Sequence, residues 1–182
     1  LYASTYDGLV RFDGYNFEVY NTGNANGMLT NRLAGMLEAS DSTLWLFNEG
    51  GTITSKKGSK FRTYTIAELP GEITRIIQNS DGRIWVGGTK GIAYYSPIDS
   101  TFKHIDFSIS ESIVNVLYPG LETDLFVLTD DGLFVVEDNM ASQLLAKEHF
   151  TIPSENVRDI NRISENKLWI IGTSGAFLFN IN

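Results

Sequence analysis

The 182-residue sequence contains no cysteine, which excludes disulfide bonds and thiolate chemistry. It has no apolar run near the roughly 18 residues that a membrane-spanning helix needs. Basic residues are in deficit, and the formal net charge of −8 argues against non-specific binding to nucleic acid. The only two histidines, His104 and His149, have no metal-binding spacing between them, so we expect neither a metal nor a cofactor. With 42% hydrophobic residues, the composition is that of a folded domain.

An aromatic residue followed six positions later by a glycine recurs five times along the chain. The pairs are Tyr2 and Gly8, Trp45 and Gly51, Trp85 and Gly91, Phe126 and Gly132, and Trp169 and Gly175. Successive aromatic positions lie about 40 to 43 residues apart, a period typical of β-propeller blades. The sequence therefore predicts an all-β fold, a partial β-propeller of about four to five four-stranded blades. The predicted repeat units are approximately 1–20, 31–64, 72–105, 112–150 and 156–182, the first and last of them incomplete.

A second fixed spacing links the first strand of each repeat to the second. Leu33, Ile73, Val114 and Val157 each stand 12 residues before the aromatic position, which predicts that one hairpin geometry is used four times. Apolar runs at 44–47, 125–128 and 168–171 predict second strands that are buried on both faces. We expect the aromatic side chain to fill the wedge between blades, and the glycine to adopt a positive φ or to allow a close approach of backbone.

The fourth repeat departs from this pattern in its later part. We expect extra residues at 138–140, and the sequence leaves its fourth strand open between residues 143–145 and residues 149–150. The last repeat is expected to lack a fourth strand.

Residues 81–95, which read DGRIWVGGTKGIAYY and are followed by Phe102, closely resemble the two-component regulator propeller repeat. Residues 170–175 repeat part of this string, and residues 8–20 are similar to the end of the family's repeat. The resemblance covers essentially the whole chain and is weakest around Phe126, where the Trp and the Gly-Thr pair are missing.

The resemblance implies a place within a larger protein. Such repeats form seven-bladed propellers in the periplasmic sensor regions of hybrid two-component histidine kinases, which are ectodomains of inner-membrane proteins. There they detect oligosaccharides and, through a phosphorelay, control transcription of polysaccharide-utilisation genes. The implied function is a ligand-sensing module with no catalysis of its own, whose contact with a membrane runs only through other segments of the parent protein.

Turn residues between the aromatic and the glycine are the candidates for ligand binding, because loops on a rigid scaffold usually carry function. Those that vary between repeats are Asn48, Glu49, Lys90, Asp130 and Asp131. Unconstrained solvent positions would vary in the same way, so both interpretations stay open.

Two other functions stay open as well. One is a propeller enzyme, a lyase or glycosidase that uses rim carboxylates; the other is a propeller that docks a protein. The chain begins inside a repeat, so we expect an excerpt of a longer protein. An open arc of blades would expose apolar faces and strand edges, which leads us to expect either further chain or a homodimer.

Overall fold

The structure is a computed structural model that describes residues 1–48, 50–65, 67–105, 112–120, 124–146, 157–173 and 175–181. Every regular element in these ranges is a β-strand. No helix within them has the length and apolar character needed to cross a membrane.

The strands form five antiparallel sheets in chain order, and each strand pairs with its neighbour in sequence. The first sheet has three strands: β1 (Tyr2–Thr5), β2 (Gly8–Phe12) and β3 (Phe17–Tyr20). The second has four: β4 (Gly35–Glu38), β5 (Leu44–Phe47), β6 (Ile53–Lys57) and β7 (Lys60–Tyr64). The third comprises β8 (Ile73–Gln78), β9 (Ile84–Gly88), β10 (Gly91–Ser96) and β11 (Thr101–His104). The fourth comprises β12 (Val114–Pro119), β13 (Leu125–Thr129), β14 (Gly132–Glu137) and β15 (Met140–Ala146). The fifth has three strands again: β16 (Val157–Ser164), β17 (Lys167–Gly172) and β18 (Gly175–Asn180).

This succession of small antiparallel sheets is the architecture of β-propeller blades, and it confirms the predicted all-β, partial-propeller fold. The strands that begin neighbouring sheets adjoin each other, β4 with β8, β8 with β12 and β12 with β16. The sheets therefore pack in chain order.

One hairpin geometry joins the first and second strands of four sheets, as the constant spacing predicts. In each of them the aromatic position pairs with the residue eight positions earlier: Leu37 with Trp45, Ile77 with Trp85, Tyr118 with Phe126, and Asn161 with Trp169. The ladder shifts by a bulge just after Ile73, Val114 and Val157, and all three side chains are buried. In the second sheet the ladder begins only at Gly35, so Leu33, predicted as part of the strand, is buried just ahead of it.

The recurring glycine has a positive φ in all five sheets: 127° at Gly8, 70° at Gly51, 97° at Gly91, 143° at Gly132 and 148° at Gly175. This is the backbone region that glycine enters without a steric penalty. A Cβ atom at Gly132 would also run into the carbonyl oxygen of Leu145 on the fourth strand. Both the turn and the close approach of the next strand explain the choice of glycine.

Large aromatic side chains fill the wedges between the middle sheets, as predicted. Trp45, Trp85 and Phe126 are only 3%, 2% and 2% exposed. Trp45 packs against Tyr95 and Phe102 of the third sheet, with its ring centroid 4.7 Å and 5.8 Å from theirs. A separate apolar cluster thus fills each interface between neighbouring sheets, from the second sheet to the fifth.

Two sequence expectations are corrected here. The run at 168–171 is not buried on both faces, because no sheet among the described residues packs over its outer side: Leu168 and Ile170 are buried, whereas Trp169 is 38% exposed. The fourth repeat has no extra residues at 138–140, since Asp138 and Asn139 form a two-residue turn with φ of 49° and 64°. The fourth strand therefore lies at Met140–Ala146, and residues 149–150 are outside the described residues.

Candidate functional site

Four of the five predicted turn residues, Asn48, Lys90, Asp130 and Asp131, lie at equivalent ends of three sheets. Asn48 is buried, and its amide oxygen accepts hydrogen bonds from the backbone N–H groups of Gly50 at 2.7 Å and Thr52 at 3.3 Å. The side chain thus holds its own turn together. Glu49 lies outside the described residues.

The other three described residues make hydrogen bonds to the first strand of their own sheet or to the segment just before it. Lys90 is exposed, and its backbone N–H donates to the carbonyl oxygen of Pro70 at 3.0 Å. Asp130 accepts a hydrogen bond from Asn115 Nδ2 at 2.7 Å, and Asp131 accepts one from the hydroxyl of Ser112. Each acidic side chain therefore stabilises the approach to its own turn, a role in which Asp is common.

A series of three clefts opens at the opposite ends of the second strands, where one sheet meets the next. We call them cleft A between the first and second sheets, cleft B between the second and third, and cleft C between the third and fourth. Cleft A is lined by Tyr2, Lys56 and Gly58 among others, cleft B by Trp45, Tyr95 and Pro97, and cleft C by Trp85, Val136 and Asp138.

The three clefts are built from equivalent positions of the repeat. In each, the aromatic residue of one sheet faces the end of the third strand of the next sheet. Lys56 pairs with Leu44, the residue before Trp45, and Val136 pairs with Leu125, the residue before Phe126. Tyr95 follows Tyr94, which pairs with Trp85, and so occupies the same position. One structural slot thus carries a cation, an aromatic ring and an aliphatic side chain in turn.

Cleft B is the largest of the three, with a volume of about 690 Å³. Half-buried Tyr94 and Tyr95 form part of its wall, and Ile98 stands 93% exposed at its mouth. The hydroxyl of Tyr64 donates to that of Tyr95 at 3.4 Å, and burial raises the pKa of Tyr64. The buried Tyr64 thus holds the hydroxyl of Tyr95 behind the cleft wall.

The polar wall of cleft B combines neutral groups with matched charges. Gln78 bridges the two sheets: its Oε1 accepts from the backbone N–H of Ser40 at 2.8 Å, and its Nε2 donates to the Ser40 hydroxyl at 2.9 Å. Lys57 pairs with Asp41 at 2.6 Å, and Arg83 lies 3.7 Å from Asp81. The hydrogen bond from Lys57 holds the pKa of Asp41 below its usual range. No charge among these residues is left unmatched at the cleft wall.

Cleft A, of about 590 Å³, is built around a lysine. Lys56 is 7% exposed, and its amine lies 5.0 Å from the ring centroid of Tyr20, 5.4 Å from that of Tyr2 and 5.7 Å from that of Phe61. Its Nζ donates one hydrogen bond, to the carbonyl oxygen of Gly58 at 2.7 Å. The lysine is therefore enclosed by aromatic faces, which attract a cation.

Cleft C is smaller, about 210 Å³. Arg83 donates to Asn139 Oδ1 at 2.8 Å across it, joining the third and fourth sheets. The indole N–H of Trp85 is buried and has no hydrogen-bond partner among the described residues. In the same part of the chain no group of three or more His, Asp or Glu side chains is arranged to hold a metal ion.

The sequence analysis did not anticipate the clefts. Their walls come from two repeats that face each other, whereas repeat spacing describes one repeat at a time. A signal was nevertheless present, because aligning the repeats at the end of the third strand would have shown Lys, Tyr and Val in one slot.

Comparison with known proteins places the repeats in context. A sequence profile described as two component regulator propeller matches residues 68–90, which confirms the resemblance noted from the sequence. The extracellular domain assigned to a hybrid two-component system of B. thetaiotaomicron is similar in structure, with 21% identity, a TM-score of 0.65, and coverage of 87% of this chain and 22% of that one. Another extracellular domain from that organism, assigned to a one-component system, has 17% identity and a TM-score of 0.72 over 100% of this chain and 26% of its own.

Enzymes share the fold as well. A catalytically inactive virginiamycin B lyase from Staphylococcus aureus is 15% identical, with a TM-score of 0.65 over 97% of this chain and 64% of that one. At these identities the structural likenesses establish the propeller fold. The chain spans about a quarter of the length of the two extracellular domains, and a comparison with curated proteins found no significant match.

Proposed function

We propose that this chain is a ligand-sensing propeller portion of the periplasmic region of a hybrid two-component sensor kinase, and that its ligand is an oligosaccharide. The match at residues 68–90 and the likeness to extracellular domains of bacterial signalling systems support the sensor assignment. The lining of cleft B is the observation that supports an oligosaccharide as the ligand. Recognition there is binding without turnover, and the readout is the control of polysaccharide-utilisation genes through the parent kinase.

The lining of cleft B matches the chemistry of a neutral sugar. A pyranose ring has an apolar C–H face that packs on aromatic rings and a rim of hydroxyl groups that need hydrogen-bonding partners. Tyr94 and Tyr95 supply the aromatic surface, and Gln78, Ser40 and Ser96 supply neutral polar groups. The volume lies within the range of about 300–1,000 Å³ that is usual for ligand sites. Because the charged residues are already paired, a neutral ligand leaves no charge uncompensated.

A sugar bound in cleft B would contact two blades at once. It could change signalling only if its affinity differs between two packings of those blades. Gln78, which already bridges the second and third sheets through Ser40, is the residue through which we propose this coupling.

The turn residues named from the sequence form a second proposed contact surface. Lys90 is the most available of them, since its side chain is exposed, whereas Asn48, Asp130 and Asp131 hold their own turns. Glu49, which follows Asn48 in the sequence, stays among the proposed contact residues. This surface would account for any glycan response that survives changes in cleft B.

Association of two copies is also proposed. Phe17 and Val19 of the first sheet and Trp169, Ile171 and Leu178 of the fifth are exposed, and apolar surface of this kind favours association. Sedimentation of the purified chain as a dimer would support it, and a monomer at micromolar concentration would contradict it.

The test of the function is a calorimetric titration of the purified chain with neutral oligosaccharides. We expect one glycan class to bind, and Tyr95→Val, which installs the residue found at the equivalent position 136, to weaken binding at least about tenfold. Tyr15→Val is the matched control, since Tyr15 is exposed and lies outside cleft B.

Each other outcome has a distinct meaning. Equal weakening of glycan binding in Tyr95→Val and Tyr15→Val would contradict the assignment of the binding site to cleft B. Breakdown of the glycan during the titration would favour the enzyme alternative, a lyase or glycosidase. A protein partner that binds with no response to sugars would favour a docking propeller.

A further inference from the structure

Cleft A contains a charge that the propeller scaffold does not require. Lys56 is the single charged side chain among the described residues that is as buried as the core. The equivalent slots hold Tyr95 and Val136, which pack without a charge. Burying an ammonium group costs free energy unless it gains partners, so its presence here calls for a partner.

Partners within the protein use only part of the hydrogen-bonding capacity of the Lys56 amine. Lysine offers three N–H donors, and one of them is used on the carbonyl oxygen of Gly58. No carboxylate among the described residues lies within ion-pair distance of Lys56. The rings of Tyr2, Tyr20 and Phe61 stabilise the positive charge from the sides but accept no strong hydrogen bond.

Among the described residues that line the cleft, the one acidic group is already neutralised. Glu18 Oε2 accepts hydrogen bonds from the Tyr20 hydroxyl at 2.6 Å and from Arg11 at 3.1 Å. Arg11 and Lys56 together outweigh Glu18 by one positive charge, in a chain whose net charge is −8. Cleft A is therefore a local cationic site on an acidic protein, and such a site attracts anions.

We propose that cleft A is an oxyanion site, in which the ammonium group of Lys56 binds a carboxylate or sulfate group carried by a sugar. The aromatic rings would flank the sugar while Lys56 neutralises its charged substituent. That the anion is carried by a sugar rests on the proposed sensing function. That the site selects anions does not. Clefts A and B would thus select acidic and neutral sugar units at equivalent positions of successive blades.

The test is a thermal-shift and calorimetric titration of the purified chain with sodium glucuronate, sodium sulfate and glucose, at ionic strength held constant with sodium chloride. We expect glucuronate or sulfate to bind and to raise the unfolding temperature, and glucose to do neither. Because sulfate also raises unfolding temperatures by exclusion from protein surfaces, the calorimetric signal decides. A calorimetric signal for sulfate alone would assign the site to sulfate esters, and one for glucuronate alone to uronates. Binding of neither anion would overturn the proposal.

Variants locate the effect. Lys56→Met keeps an unbranched side chain within the aromatic enclosure and should lower anion affinity at least tenfold, while Lys56→Arg should retain part of it. Lys60→Met is the matched control, because Lys60 is exposed on the neighbouring strand β7. Equal anion binding by the wild type and Lys56→Met would overturn the proposal, and so would an equal loss in Lys60→Met.

A further readout needs no variant. In the wild type, the NMR signals of the Lys56 side chain, displaced by the three neighbouring rings, should move with added glucuronate or sulfate. Unmoved signals at saturating anion would contradict the proposal even if Lys56→Met fails to fold. If cleft A binds no anion, the proposal that cleft B binds a neutral glycan is unaffected. The two proposals can therefore be tested independently.

Discussion

Strands β13 and β17 occupy the same place in their sheets, yet only one of them is buried on both faces. Both are apolar second strands that follow the same hairpin geometry. All five residues of β13 are buried, whereas buried and exposed side chains alternate along β17 up to Ile171. The difference lies in the neighbours, because β13 has sheets packed on both sides. Among the described residues β17 has one on a single side. Whether a strand is buried in this fold therefore depends on the neighbouring sheets as much as on its own sequence.

The largest difference between the two strands is expected when the aromatic ring is removed from each. Phe126→Ala should lower the free energy of unfolding by about 3–5 kcal/mol, since the ring is 2% exposed and leaves a cavity. Trp169→Ala should cost less than half as much, because part of that ring is already in solvent. Chemical denaturation of both variants measures the two losses. Equal losses would mean that the outer face of β17 is covered in solution.

The next largest difference is expected at the repeated glycine. Gly132→Ala combines a positive φ with a clash against the Leu145 carbonyl oxygen, and we expect a loss of about 2–4 kcal/mol. Gly175→Ala has a similar φ but no atom within 4 Å of the added carbon, so only the backbone penalty of about 1–3 kcal/mol remains, and we expect the smaller loss there. The measurement is again the free energy of unfolding. A larger loss at Gly175 would contradict the placement of the two turns.

Surface ion pairs should not distinguish middle sheets from end sheets, because solvent screens them wherever they lie. Lys57 lowers the pKa of Asp41 in the second sheet, and a hydrogen bond from Tyr20, then one from Arg11, lowers the pKa of Glu18 in the first. NMR titration should show the pKa of Asp41 rising towards its usual value in Lys57→Met, and that of Glu18 rising in Tyr20→Phe.

The sign of the pH effect follows from these lowered values. Each carboxylate contributes stability above its unfolded pKa of roughly 4, and the contribution is lost as the pH falls through the lower, folded pKa. For the exposed Asp41 pair we expect about 0.5 kcal/mol or less. The difference in unfolding free energy between the wild type and Lys57→Met should therefore shrink as the pH falls below about 4, and a difference that grew would contradict this assignment.

Sequence spacing predicted most of the fold because it reports contacts within one hairpin. The interval from Ile73 to Trp85 determines which residues pair, and the interval from Trp85 to Gly91 marks the turn that follows. Exposure at Trp169 could not be predicted in this way, since it depends on what packs beside the sheet. The site was harder still, because cleft B brings Ser40 and Gln78 together from different repeats.

The candidate turn residues show the limit of reasoning from variation alone. Asn48 differs from its counterparts in other repeats, and its amide is occupied in shaping a local turn. Lys56 differs from its counterparts as well. It is buried in strand β6, so its variation cannot be attributed to a lack of constraint at a solvent-exposed position. Variation at a buried position is therefore the more informative signal.

The equivalence of Lys56, Tyr95 and Val136 has a consequence for how such proteins diversify. Each duplicated blade brings one half of a pocket whose other half is supplied by whichever blade precedes it. Shuffling the order of blades would therefore create new pocket pairings from old parts, with no new turn and no change of register. A protein of this design could change the chemistry of its clefts by rearranging repeats within its gene, before point mutations alter any single cleft wall.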